Sequence, residues 1–310
     1  MKQNTEVLSL LKEKQILEHK LNSLIYGAIE IRKVKNNKYI YVHYREDGVR
    51  LTKYVGEYSD ELHNLILNNN IITKDLKKQI RLIKKKLSSL NYLDVELIPK
   101  VELNIDFAKK HLADIIYKQA VLEGISTTYA DTENIIDGGK VNEMTPEDVM
   151  KIVNLKHAWE FILNKNVITS KTNISLLCEI NKLIEEGFHY NAGKIRSIPV
   201  SIGGTSWKPP LPIEGIIKEE IDSIMNSNLS IIDKTIEILL YIMKRQIFID
   251  GNKRTAVVYA NHYLISKGKG VLVIPIEYIK DYKKLLIDYY EGKDNKKIRE
   301  FLKSKCYKDI

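Results

Sequence analysis

The apolar residues of this chain change their repeat only once. From about residue 70 to the end they recur every three to four positions, the spacing of an amphipathic helix, and only residues 28–58 break that rhythm. There Ile29, Ile31, Tyr39, Tyr41, Val49 and Leu51 alternate with polar residues. Asn36-Asn37 and Asp47-Gly48 supply turn signals, so a small three-stranded meander is predicted. Residues 1 to about 25 read as a helix before it, with Val7, Leu10, Leu17, Leu21 and Leu24 on one repeat. That stretch is too short for a coiled coil but long enough to pair with a helix of this chain or of a second copy.

The rest reads as helix. Ile71–Leu90 carries Ile72, Leu76, Ile80, Ile83 and Leu87 on one face, with Lys84-Lys85-Lys86 opposite. Pro99 discourages helix before it and sets a boundary between residues 1–98 and 99–310. Phe107–Glu123 follows and stops at Gly124. Thr145-Pro146-Glu147-Asp148 is a helix start: a capping hydroxyl, proline in the first turn, then acids near the positive end. Asn173–Glu186, Lys234–Gln246, Lys253–Lys267, Tyr278–Tyr290 and Lys296–Lys305 complete the set. The fold class is mainly α, preceded by a small α+β region.

Charge and cysteine usage narrow the setting. The net charge of +9, from 49 Lys and Arg against 40 Asp and Glu, permits a polyanionic partner, although a solvated lysine-rich surface explains it equally simply. The Lys, Arg and Tyr residues of the meander resemble a nucleic-acid-binding sheet, where rings stack on bases; a dimerisation or interaction sheet fits the same residues. Cys178 and Cys306 lie far apart with no metal-ligand spacing. Met1–Glu18 is polar between its leucines, and no apolar stretch reaches the roughly 20 residues that span a bilayer. A cytoplasmic protein without membrane contact is expected.

The stretch that carries chemistry is Gln246-Ile247-Phe248-Ile249-Asp250-Gly251-Asn252-Lys253-Arg254-Thr255, between two apolar helices. Its second half opens a helix, so the amides of Gly251, Asn252 and Lys253 lack intrahelical acceptors and attract anions. Gly251 permits close approach of a phosphate. Lys253 and Arg254 add positive charge, and an arginine grips phosphate oxygens in pairs. Asp250 is an oxygen ligand suited to Mg²⁺ on a nucleotide pyrophosphate.

This run resembles the F-x-D-G-N-x-R signature of the Fic family at Phe248, Asp250, Gly251, Asn252 and Arg254. The resemblance covers about residues 100–305. It implies the Fic fold, a helical domain with a small β-hairpin flap. The flap would fall on Asn191–Arg196, Val200–Thr205 and Pro209-Pro210, aligning a target segment by strand addition, with Gly203 and Gly204 beside the nucleotide. It further implies ATP or another nucleotide with Mg²⁺ as cofactors. Phe248 would anchor the loop, Asp250 would bind Mg²⁺, and Asn252, Arg254 and the loop amides would hold phosphates. Glu123-Gly124 resembles the E-G of the family's autoinhibitory motif.

Three positions depart from that pattern. Gln246 stands where the family has its general base, and an amide has no comparable basicity, a loss worth roughly 10²–10⁴ in rate. Val257 replaces the second arginine, the partner of the inhibitory glutamate, and Gln119 replaces the Ser or Thr four residues before Glu123. Inhibition by Glu123 is therefore expected to be slight. His189 is an alternative base, whereas His262 reads as a helix-surface or packing residue. The expected activity is transfer of AMP, or another phosphate-containing group, to a hydroxyl of another protein or of this chain. The competing readings are a nucleotide-binding or docking module without turnover, and a nucleic-acid reader built on the N-terminal sheet.

Overall fold

The computed structural model describes residues 2–310 other than 36, 47, 48, 91, 93–96 and 142, and only the backbone at 2–5, 46 and 49. The turn signals Asn36 and Asp47-Gly48 lie outside the described residues. The chain divides into two compact units, residues 9–93, and residues 94–310 together with 1–8.

In the first unit α1 (Lys2–Ser23), from residue 9 onward, leads into strands β1 (Ala28–Val34), β2 (Asn37–Glu46) and β3 (Val49–Glu57), an antiparallel meander in chain order. Ile40, Val42 and Ile66 form its core, joined by Ile29, Val55 and Leu62. The other face carries Tyr39, Tyr41 and the half-exposed Tyr54, with the Arg32 guanidinium 4.4 Å above the Tyr41 ring. Helix α2 (Asp60–Ser89) starts eleven residues before the expected Ile71, because Ser59 caps the Leu62 amide and Asp60 and Glu61 fill the first turn. Its buried row is Ile66, Asn69, Thr73, Leu76, Ile80, Ile83 and Leu87. Ile72, expected on that face, is exposed, and its neighbour Thr73 stands in the buried row instead. Half-buried Asn70 both accepts from the Gly27 amide (2.8 Å) and donates to its carbonyl (3.0 Å), which fixes the entry into β1.

The second unit is helical: α3 (Pro99–Lys110), α4 (Leu112–Leu122), α5 (Tyr129–Ile136), α6 (Pro146–Ile162), α7 (Lys165–Ile168), α8 (Ile174–Ile184), α9 (Glu214–Asn226), α10 (Ile231–Arg245), α11 (Asn252–Ser266), α12 (Ile279–Tyr290) and α13 (Lys296–Phe301). Pro99 is not merely a boundary; it occupies the first turn of α3, where its missing amide hydrogen costs nothing. The single helix expected over Phe107–Glu123 is broken at His111, whose backbone leaves helical geometry. Thr145 caps Asp148, as its sequence context predicts, and Asn173 caps Leu176, each at 3.1 Å. Helix α11 is buried at every residue from Arg254 to Ile265 and packs against α10, α8 and α6. A helix apolar on all sides belongs at the centre of a bundle. Its Asn261 side chain pairs with both backbone groups of Leu272, at 2.7 and 2.8 Å. Leu272 itself lies in β4 (Val271–Leu272), antiparallel to β5 (Tyr307–Lys308). Among the described residues no helix is long and apolar enough to cross a membrane.

The fold class stands as expected, with one local correction. Residues 191–213 contain no strand pairing; the expected flap hairpin is a loop of turns and extended segments. Pro199, Pro209, Pro210 and Pro212 remove backbone donors that a ladder needs. Arg196 takes over instead. Its buried guanidinium donates to the carbonyls of Ile198 (2.8 Å) and Pro210 (2.7 Å), and its Nε to that of Gln246 (2.5 Å).

Candidate functional site

The loop between α10 and α11 is set by two left-handed residues. Gln246 ends α10 at φ 47° and Gly251 begins α11 at φ 73°. Left-handed backbone suits Gly251 but costs a non-glycine residue about 1–2 kcal/mol. At Gln246 the side chain offsets that cost: Nε2 donates to Met243 O at 2.6 Å, and Oε1 accepts from Asn252 Nδ2 at 3.1 Å. Between them Ile247 and Phe248 turn into the core. Asn252, expected among the phosphate ligands, is buried and spent within the loop. Its Oδ1 accepts from Phe248 N (2.9 Å), and its Nδ2 donates to Phe248 O (2.8 Å) as well as to Gln246.

Above the loop lies a cavity of about 420 Å³. Gln246, Ile249, Asp250 and Lys253 form one wall, and Val200–Gly203 of the expected flap form another. Tyr282, Leu286, Ile287 and Tyr290 of α12 close it. The buried Tyr290 hydroxyl has no hydrogen-bond partner. Gly203 thus shares a cavity with Asp250 and Lys253; Gly204 does not line it.

Beneath the loop, α8 presents two side chains that the sequence reading did not single out. Asn181 Nδ2 donates to Asp250 O and to Thr255 Oγ1, both at 3.1 Å. Glu185 lies so close under Gly251 that a Cβ there would sit 2.4 Å from Glu185 Oε1. No local signal marks them in the sequence, since α8 carries other buried polar residues, Ser175 and Glu179.

Arg254 is the electrostatic centre. It is almost fully buried and faces three carboxylates: Glu185 at 3.0 Å, Asp250 at 3.6 Å and Glu123 at 3.8 Å. Glu123 also reaches Lys253 at 3.8 Å. Val257 leaves no second arginine, yet Glu123 keeps cationic partners one helical turn earlier. Gln119 has a role of its own: it donates to Arg254 O (2.9 Å) and accepts from Trp159 Nε1 (2.9 Å), tying α4 and α6 to the start of α11. Burial pushes the Glu185 carboxyl up to about 7, against the opposing pull of Arg254. Asp250 is largely exposed; it accepts from its neighbour's amide, Gly251 N, at 2.7 Å.

His189 stands at the site's edge, 3.7 Å from Glu185 Oε2. His262 is fully buried between Thr172 Oγ1 (3.0 Å) and Val167 O (2.9 Å), a packing residue rather than a helix-surface one.

Comparison with known proteins agrees with this anatomy. Residues 171–264, from before α8 into α11, match the Fic/DOC family model. No curated protein matches the chain. The solved structure of Fic-1 from C. elegans shares the fold at 15% identity, covering 78% of this chain and 79% of that one, with a TM-score of 0.52. A Fic family protein from Desulfovibrio desulfuricans G20 does so at 16% identity, covering 67% and 72%, with a TM-score of 0.51. The segment 171–264, which holds the loop and its supports, is what this chain shares with the Fic/DOC family.

Proposed function

We propose that this chain is a protein nucleotidyltransferase of the Fic type, slow because Gln246 occupies the position of the base. It takes ATP, or another nucleotide, with Mg²⁺ at Asp250–Arg254 and transfers AMP or a related group to a protein hydroxyl, on a partner or on itself. One observation carries the reading: Asp250, Lys253 and the opening turn of α11 converge on one cavity with Gln246.

The residues fit the cofactors. Asp250 offers an exposed carboxylate, the donor type that Mg²⁺ takes, and the ion, when bound, neutralises charge on phosphate oxygens. The first-turn amides of Asn252 and Lys253 have no intrahelical acceptors and face a developing negative charge favourably. Lys253 supplies a mobile positive charge at the cavity wall, and Arg254 a buried one behind it. Leu286, Ile287 and the ring-bearing Tyr282 and Tyr290 of α12 give the cavity a largely apolar wall. Asn252 contributes by holding the loop in shape. Phosphoryl transfer asks the protein mainly for position and charge, so turnover persists without a base.

A second reading, a nucleotide-binding module without turnover, is favoured by the inward engagement of the Gln246 amide with Met243 and Asn252. Residues 1–98 are the region we assign to self-association, with nucleic-acid binding on the tyrosine face as the alternative. Salt-sensitive oligonucleotide binding lost in Tyr41→Ala would select that alternative.

The test is incubation of the full chain with cell lysate and ATP labelled at the α or the γ phosphate. Transfer of α label to protein supports the proposal. ATP bound without transfer from either label supports the module, and no ATP binding removes both readings.

A further inference from the structure

Glu185 and His189 are one turn apart at the end of α8, where the amides of Phe188 (3.0 Å) and His189 (3.4 Å) both point at Glu185 O. The turn puts both side chains on one side. Asn181 pins Asp250 O at 3.1 Å, which brings a third donor from the loop. One atom from each of Glu185, His189 and Asp250 lies within 4.8 Å of the others. Two cis ligands about 2.1 Å from an ion are roughly 3 Å apart, so small rotations of the two exposed side chains, His189 and Asp250, close the set.

A second observation points the same way. Glu185 is a carboxylate with only 3% of its side chain exposed; its Oε1 lies 3.0 Å from Arg254 Nη2 without forming a hydrogen bond, and its Oε2 faces His189 at 3.7 Å. Its cationic neighbour, Arg254, is shared with Glu123 and Asp250. Lys253, partly exposed, reaches only Glu123. Three carboxylates gather around one buried guanidinium, and two of them, Glu123 and Glu185, are themselves largely buried, where charge calls for compensation.

We infer that Glu185, His189 and Asp250 form a three-ligand site for a first-row transition dication, held by the protein without nucleotide. The donor set decides the class. Two carboxylates and one imidazole with open positions suit Mn²⁺, Fe²⁺ or Co²⁺, whereas Mg²⁺ favours an all-oxygen shell with several waters. The inference builds on the assignment of Asp250 to a cation in the proposed function, and it adds two ligands and a metal preference. Those two ligands place the ion against α8, beside Arg254 and under Gly251, and the remaining positions stay open for phosphate oxygens or water.

The experiment titrates the full chain with Co²⁺ and, separately, with Mg²⁺, in the absence of nucleotide. It is read by calorimetry and by the visible absorption of Co²⁺. One Co²⁺ should bind at least about tenfold more tightly than Mg²⁺, with a spectrum reporting nitrogen and oxygen ligands. His189→Ala should weaken Co²⁺ by about tenfold or more and leave Mg²⁺ nearly unchanged. Glu185→Gln should weaken both. His189 is partly exposed, so its variant folds, and a thermal melt on each variant confirms it. Co²⁺ affinity and spectrum unchanged in His189→Ala would overturn the inference, as would equal affinity for the two ions. ATP titration of the same proteins stands apart. Loss of ATP binding with Co²⁺ binding intact would remove the proposed function and leave the metal site standing.

Discussion

Asn252 Nδ2 donates to Gln246 Oε1 at 3.1 Å, so the Gln246 side chain is a strut between the end of α10 and the start of α11. With Nε2 on Met243 O, the whole amide is engaged. Replacing it by histidine trades two supporting hydrogen bonds for a base. Gln246→His should raise transfer by roughly 10²–10⁴-fold, measured as α label on protein. It should also lower stability by about 1–2 kcal/mol in a denaturant melt. Robust parental transfer abolished by this change would give the glutamine a dedicated catalytic role.

Arg254 is held by three carboxylates, and any phosphate must compete with them. Arg254→Ala should weaken ATP by about 1–3 kcal/mol in calorimetry, the range for charge-assisted hydrogen bonds. Unchanged affinity would place the phosphates elsewhere.

Glu123 touches Lys253 and Arg254, each at 3.8 Å. The sequence led us to expect little restraint from it, since Val257 removes its usual partner; the structure supplies two substitutes. Glu123→Ala should therefore tighten ATP by roughly 3–10-fold at low salt, with the gain shrinking as salt screens the pair. Equal affinities of parent and variant at low salt would show that the contact restrains nothing.

His262 sits neutral in the core, its pKa lowered from 6.5 to about 4 by burial. The unfolded chain then holds the proton more tightly than the folded one. Stability from this group is complete above the ordinary histidine value and is lost as pH falls from about 6.5 towards 4, by roughly 3 kcal/mol. His262→Gln should flatten that part of the stability curve in urea titrations at pH 4.5, 5.5 and 6.5. An unchanged slope would assign the acid sensitivity to other groups.

Local chemistry was legible in the sequence, and long-range pairing was not. The cap at Thr145, the meander and the turn of α11 at Gly251 follow from short patterns, because their causes lie within four residues. The break at His111 is invisible in the apolar spacing, which continues through it. Arg254 and Asp250 stood out by type and spacing. Their supports did not: Gln119 meets Arg254 across 135 positions, and Asn181 meets Asp250 across 69. Neither Glu185 nor Asn181 differs from a solvated helix residue until α8 is packed against the loop. The flap failed as a hairpin because its prolines outweigh its alternation, and a buried arginine took the place of the ladder.

That arginine has a mechanical consequence. Arg196 grips the carbonyls of Ile198 and Pro210 on one side and of Gln246 on the other, while its own amide donates to Ile247 O at 3.0 Å. The segment 196–210 and the loop at 246–247 therefore behave as one lever with a guanidinium for its pivot. Whatever settles on that segment tilts the peptide that ends α10, and with it the Gln246 strut. One wall of the cavity and the loop on its other side are two ends of a single stiff part.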